Sequence, residues 1–284
     1  MNNTLKTIVL FGCLALLLIT LGRFVGGANG MWLMLAISLL MNLGVYFYSD
    51  KIAIMSAGAE PIPANKHSLI KEIVFDLAKK AKLPKPRLYI SPDSQPNAFA
   101  TGRNPKHSAV VVTKGLIRNL SREELKGVLA HELSHVKNRD ILIATVASVV
   151  ASIITAISSV MRWGMIFGGG SSNENRNPLG EIVAIIFAPI AAMIIQLAIS
   201  RSREFEADRS GARLAGGGEG LADALEKIEH VSRQVPALET NPAFANLYIA
   251  NPLSAREVGG FMAKLFSTHP PTAERVARLR EMKK

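Results

Sequence analysis

Four stretches of this chain run for 16 to 20 residues without one charged side chain, and they constrain the fold more than any other feature. They are Thr7 to Gly22, Met31 to Tyr48, Ile141 to Val160 and Ile182 to Ile199. About 20 predominantly apolar residues cross a bilayer as a helix. A buried core helix is the competing reading, and it weighs more on the third and fourth runs than on the first two. Tyr46, Tyr48 and Trp163 stand at run ends, where interfacial aromatic side chains sit. The first run begins like a signal peptide, with Lys6, an apolar stretch and small residues at Gly26-Gly27-Ala28. A second run starts at once at Met31, so a hairpin anchor fits better than a cleaved leader.

Charge placement gives the orientation. Lys and Arg number 33 against 22 Asp and Glu, a net charge of +11. Only Arg23 lies between the first two runs, and only Arg162 and Arg176 lie between the last two. Basic residues gather on the cytoplasmic side of membrane proteins. The N-terminal tip, the segment 49–140 and the tail 200–284 are therefore expected to share that side. The excess charge suits an anionic membrane surface, and no aromatic-interleaved basic patch points to nucleic acid. No span carries an ionisable residue, so the spans read as anchors rather than a transport path. Hydrophobic residues at 49% of the chain exclude disorder. The single cysteine, Cys13, excludes an intrachain disulfide and a zinc ribbon. The expected layout is a hairpin at 1–50, a first cytoplasmic part at 51–140, a second hairpin at 141–199 and a second cytoplasmic part at 200–284.

The cytoplasmic parts read as mainly α with a small β-sheet. Leu69, Ile70, Ile73, Val74, Leu77 and Ala78 form a helical stripe ended by Pro84 and Pro86. Strands are expected at Arg87–Ile90, Asn97–Thr101 and Ser108–Thr113. Ser121 followed by Glu124 is a capping box, and the helix it opens runs into His131-Glu132-Leu133-Ser134-His135. A helix follows the fourth run and breaks at Gly216-Gly217-Gly218, which lacks the ending of a phosphate loop. Another follows through Leu221, Leu225 and Ile228, and a last one starts near Thr272.

His131 and His135, at i and i+4, stack one turn apart on a helix and can bind one zinc ion. Glu132 projects beside them, placed to take a proton from water at the metal. A catalytic zinc needs a third protein ligand. Glu204 and Asp208 share a helix face, while Glu206 points elsewhere. One of the pair could bind metal and the other hold the far nitrogen of a ligating histidine. A solvated helix with Arg201 and Arg203 on lipid phosphates explains the same residues equally well. Asp140 reads as a cap at the membrane boundary more than as a partner of the histidines.

His131-Glu132-x-x-His135, Ser200-Arg201-x-x-Glu204-x-x-Ala207-Asp208 and Thr268-His269-Pro270-Pro271-x-x-x-Arg275, in this order, resemble the HtpX and CAAX prenyl endopeptidase family of membrane zinc metalloproteases. The likeness spans nearly the whole chain. It implies a cytoplasmic gluzincin-type domain beside four transmembrane helices, and one Zn2+ held by His131, His135 and Glu204. It further implies Glu132 as general base, Asp208 as orienter of a histidine, and His269 with Arg275 steadying the oxyanion. Asn97-Ala98-Phe99 resembles the substrate-binding edge strand of thermolysin-like enzymes. The expected activity is cleavage of misfolded membrane or membrane-associated proteins at the inner face of the bacterial inner membrane, in quality control and stress response. A non-enzymatic protein with a structural metal is the alternative. A prenyl protease ranks lower, because four spans are few to enclose a chamber. The oligomeric state is left open.

Overall fold

Glycine sets the shape of the N-terminal segment. The computed structural model describes residues 3–63, 65–153, 201–235, 247, 249 and 270–282. Helix α1 (Asn3–Ser56) is two arms meeting at Gly26 and Gly27, the latter at φ 61°, a left-handed conformation open to glycine. The arms fold back on each other: Asn42 Nδ2 donates to the Phe11 carbonyl at 3.3 Å. The expected loop between the first two runs is thus a kink with two non-helical residues.

The arm Gly26–Ser56 is long and apolar enough to cross a membrane, while Leu5–Thr20 and α5 (Ile141–Ile153) are shorter apolar helices. The end of the third run, Trp163 and the whole fourth run lie outside the described residues. One of the four expected spans therefore reaches spanning length among the described residues. All twelve large apolar side chains left exposed among them lie on α1, Trp32, Leu40 and Met55 included. A water-facing surface rarely carries so large an apolar patch.

The sheet holds β1 (Glu60–Pro61), β2 (Arg87–Ser91), β3 (Ala98–Gly102) and β4 (Ser108–Thr113) in the order β1-β2-β4-β3. Strands β2 and β4 are parallel, and β3 runs antiparallel to β4 at the edge. Side chains alternate across a strand, and here both faces are covered. Ala98, Ala100, Val110 and Val112 enter one apolar cluster with α2 (Ser68–Lys80). Phe99, Ala109 and Val111 enter the other, with α1 and α5. Burial on both faces accounts for the unbroken Val110-Val111-Val112 run.

Behind the sheet lie α3 (Lys114–Asn119), α4 (Arg122–Lys137), α6 (Arg201–Ala215), α7 (Glu219–Gln234) and α8 (Thr272–Glu281). The capping box of α4 is complete: Ser121 N–H donates to Glu124 Oε2 at 2.6 Å, and Glu124 N–H to Ser121 Oγ at 3.3 Å. Helix α4 packs against α2, β3, α6 and α7 at once. Eleven of its sixteen residues are buried, so its polar side chains need protein partners. Two glycines permit the approach. A Cβ on Gly127 would meet Leu221 N at 2.5 Å, and one on Gly211 would meet His131 N at 2.9 Å.

Gly211→Ala should therefore destabilise, although alanine is the better helix former. The added methyl must push α6 off the α4 backbone, and such overpacking costs about 1–3 kcal/mol. A thermal melt in detergent should show a lower midpoint; a rise would mean that the two helices have room to spare.

Candidate active site

A buried helix carrying two histidines and a glutamate needs compensating groups, and α6 supplies them. Glu204 opens the buried face of α6, with Asp208 one turn on and Gly211 after it. This stripe lies against α4. His135 Nε2 is 3.5 Å from Glu204 Oε1, and His131 Nε2 is 3.8 Å from Glu204 Oε2. The two Nε2 atoms are 3.2 Å apart. The three ligand atoms lie within 4.8 Å of one another. Two Zn–N bonds of ordinary length at a tetrahedral angle separate their nitrogens by about 3.3 Å. The donor set thus fits a single metal ion in both chemistry and spacing.

The far nitrogens of both rings meet carboxylates. His131 Nδ1 lies 2.9 Å from Asp208 Oδ1, in a contact too bent for a straight hydrogen bond. His135 Nδ1 lies 3.4 Å from Asp140 Oδ2. Such partners fix which nitrogen is free for a metal. Asp140 thus does more than cap α5, the role its boundary position suggested. No spacing rule points to it, since it lies beyond the end of α4. Glu206 is exposed and pairs with Arg209, as its place on the other face requires.

Arg275 has a different setting from the one the resemblance implies. It is buried on α8, and its Nε and Nη2 donate to Asp208 Oδ2 and Oδ1 at 2.9 and 2.7 Å. A buried guanidinium must find a carboxylate, and Arg275 takes both oxygens of Asp208. Arg275 therefore holds Asp208, which faces His131. His269 lies outside the described residues.

Glu132 is buried, and its Oε2 accepts the Ala100 N–H of β3 at 2.9 Å. Backbone groups alternate between the two sides of a strand. The Ala98 and Gly102 groups therefore face the same outer side as Ala100, while Phe99 and Thr101 turn toward β4. The edge position expected for this strand is present. The Asn97 side chain is committed elsewhere: Oδ1 accepts from Ile249 N at 3.0 Å, and Nδ2 donates to Leu247 O at 3.4 Å. No sequence signal links Asn97 to residues 150 positions away. The Phe99 side chain lies in the apolar cluster with α1.

Burial opposes a charge on His135, but the Glu204, Asp140 and Glu132 carboxylates outweigh it and hold its pKa up to about 9. Burial alone would raise Asp208, yet Arg275 and His131 hold it down to about 2. Glu132, Glu204, Asp140 and Asp208 outnumber the Arg275 and Arg203 guanidinium groups beside them, so the pocket is anionic and favours a cation.

Buried imidazoles and a carboxylate converging on one point, with a further carboxylate bonded to an edge strand, define a metallopeptidase. The family model described as Peptidase family M48 matches residues 64–283, and the chain belongs to that family. A protein described as a protease HtpX homolog from Pelotomaculum thermopropionicum is 50% identical over 99% of both chains. Another from Syntrophobacter fumaroxidans is 47% identical over 99% of this chain and 100% of its own. The crystal structure of Ste24p from S. mikatae matches at a TM-score of 0.49 and 18% identity, over 97% of this chain and 64% of that one.

Two outcomes follow. A pKa about 9 leaves His135 protonated in the metal-free protein at neutral pH, and a metal must displace that proton. Calorimetric titration with a divalent metal in buffers of different ionisation enthalpy should report release of about one proton per ion. A slope of zero would mean that His135 is already neutral. Arg275→Met should destabilise by about 3–5 kcal/mol, because Asp208 is left buried without its guanidinium partner and with His131 alone beside it. Adding Asp208→Asn should recover part of that loss. Unchanged stability with a lowered kcat would return Arg275 to a direct role on the substrate.

Proposed function

We propose that this metallopeptidase is a zinc endopeptidase of the bacterial inner membrane. One zinc ion is held by His131, His135 and Glu204, and the active site faces the cytoplasm. When bound, zinc would supply Lewis acidity toward the scissile carbonyl and acidify water at the site. The observation that carries the reading is the bond from Ala100 N–H to Glu132, which joins base and edge strand beside the converging ligands.

An extended peptide can add along the outer edge of β3 beside the Ala100 N–H that Glu132 already accepts, and backbone pairing of this kind gives affinity with little sequence preference. Glu132 takes a proton from water and passes it to the departing amine. Asp208 and Asp140 keep the two imidazoles turned toward the metal. Arg275 keeps Asp208 ionised in a buried place, and His269 is assigned to the developing oxyanion. Such a donor lowers the barrier by about 3–4 kcal/mol.

The apolar surface of α1, together with the apolar runs that flank α4 and α6, supports a multi-pass chain. The 1–50 and 141–199 hairpins are its anchors, and 51–140 and 200–284 form the protease domain. Substrates are then polypeptides that reach the membrane surface, misfolded membrane proteins among them, and the role is quality control under stress. A structural metal site would need no base held against an edge strand, which favours the enzymatic arrangement.

Glu132→Gln should lower casein cleavage in detergent by about 10²–10⁴-fold, the usual worth of a general base, with zinc content unchanged by elemental analysis. Glu204→Ala should lose zinc and activity together. If Glu132→Gln strips the metal as thoroughly as Glu204→Ala does, the base assignment fails.

A further inference from the structure

At the C-terminal end of α4 lies a groove of about 1120 Å³ that the catalytic reading does not use. That is larger than pockets for ordinary small molecules. Its wall is built where the apolar helices meet the protease domain. Thr7, Ile8 and Phe11 come from the start of α1, Tyr46 from the second arm, and Ile141 and Leu142 from the start of α5. On the reading above, these are the ends that emerge from the bilayer on its cytoplasmic side, so the groove lies at headgroup depth.

The other wall is cationic. Lys82, Arg103, Lys106, Lys137 and Arg139 line it, and no Asp or Glu does so among the described residues. The Arg103 guanidinium lies 5.5 Å from the ring centre of Phe47, itself exposed on α1, which places that charge beside the lipid-facing surface.

Backbone conformation adds a second observation. Helices α2 and α4 both end in a left-handed residue with a bond back over the last turn: Leu83 N to Ala78 O at 2.9 Å, and Asp140 N to His135 O at 2.9 Å. Glycine, and sometimes asparagine, holds that position by preference. Here it is Lys82 at φ 57° and Arg139 at φ 60°. Both helices accept a disfavoured residue at a position that lines this groove with a long cation. Local rules tend to be broken where function requires it.

We propose that this groove binds an anionic phospholipid, its phosphate among the five cations and the upper part of an acyl chain against Phe11, Tyr46 and Leu142. The inference rests on the membrane reading above and adds a lipid class and a site to it. Arg139 adjoins Asp140, which holds His135, so an occupied groove braces the turn that positions a metal ligand.

The test uses the full chain in detergent micelles doped with equal phosphatidylglycerol and phosphatidylcholine, with bound lipid counted by native mass spectrometry. The variant Lys82→Asn with Arg139→Asn removes two cations, asparagine suits both left-handed positions, and a thermal melt matching wild type checks that the fold is kept. A control, Lys79→Gln with Arg118→Gln, removes the same charge from exposed positions away from the groove. Wild type and control should retain phosphatidylglycerol selectively, and the groove variant should retain at least about threefold less. Equal retention by the groove variant overturns the site. Equal loss in the control does so too, by reducing the effect to bulk charge. Displacement of the lipid by millimolar inorganic phosphate alone would overturn the lipid in favour of a simple anion site. The membrane reading fails separately, if the chain leaves the membrane fraction in an alkaline wash.

Discussion

Asp208 is the side chain on which the separate parts of this protein converge. It belongs to α6, faces His131 on α4 and accepts two bonds from Arg275 on α8. Stretches of chain more than 60 residues apart are thereby fixed to one carboxylate in a dry interior. Neither charge could stay there alone, because an unpaired buried ion costs several kcal/mol. The pair leaves Asp208 ionised, and an ionised Asp208 is what keeps the Nε2 of His131 pointing at Glu204. The folding of α8 onto the rest is in this sense part of the candidate metal site, because Arg275 reaches it through Asp208.

Much of this was legible in the chain because periodic rules apply within single helices. The i, i+4 pairs His131/His135 and Glu204/Asp208 follow from helix geometry, and so does the outward turn of Glu206. The capping box at Ser121 is equally local. What could not be read are contacts that depend on how elements meet. Asn97 holding Leu247 and Ile249, and Ala100 bonding Glu132, need the tertiary arrangement. Asp140 lies five residues after His135, past the end of a helix where no face rule holds. Arg275 matched a motif that suggested a substrate-facing donor, but burial decided its partner. The apolar runs were plain, yet apolarity alone does not separate a span from a core helix. Only the exposed surface of α1 makes that distinction among the described residues.

The sheet shows why the two halves of the fold cannot be treated as anchor and cargo. Val111 and Phe99 pack with α1 and α5, while their strand neighbours Val110, Ala98 and Ala100 pack with α2 and α4. A strand is too thin to shield one face from the other. The same strand thus touches the apolar helices through Phe99 and Glu132 through the Ala100 N–H.

A similar coupling runs along the chain itself. Helix α4 ends at Lys137 and α5 begins at Ile141, so His135 and the first residue of the apolar helix are separated by six steps. Even a fully extended chain spans only about 20 Å over that distance, and here it is turned back by Arg139. Asp140 then bonds across the turn to His135. The depth of the metal ligands relative to α5 is therefore set within a few ångströms by covalent connection and one carboxylate. A shift of α5 along its own axis would pull on Asp140 first and, through it, on His135, before the rest of the ligand set moved.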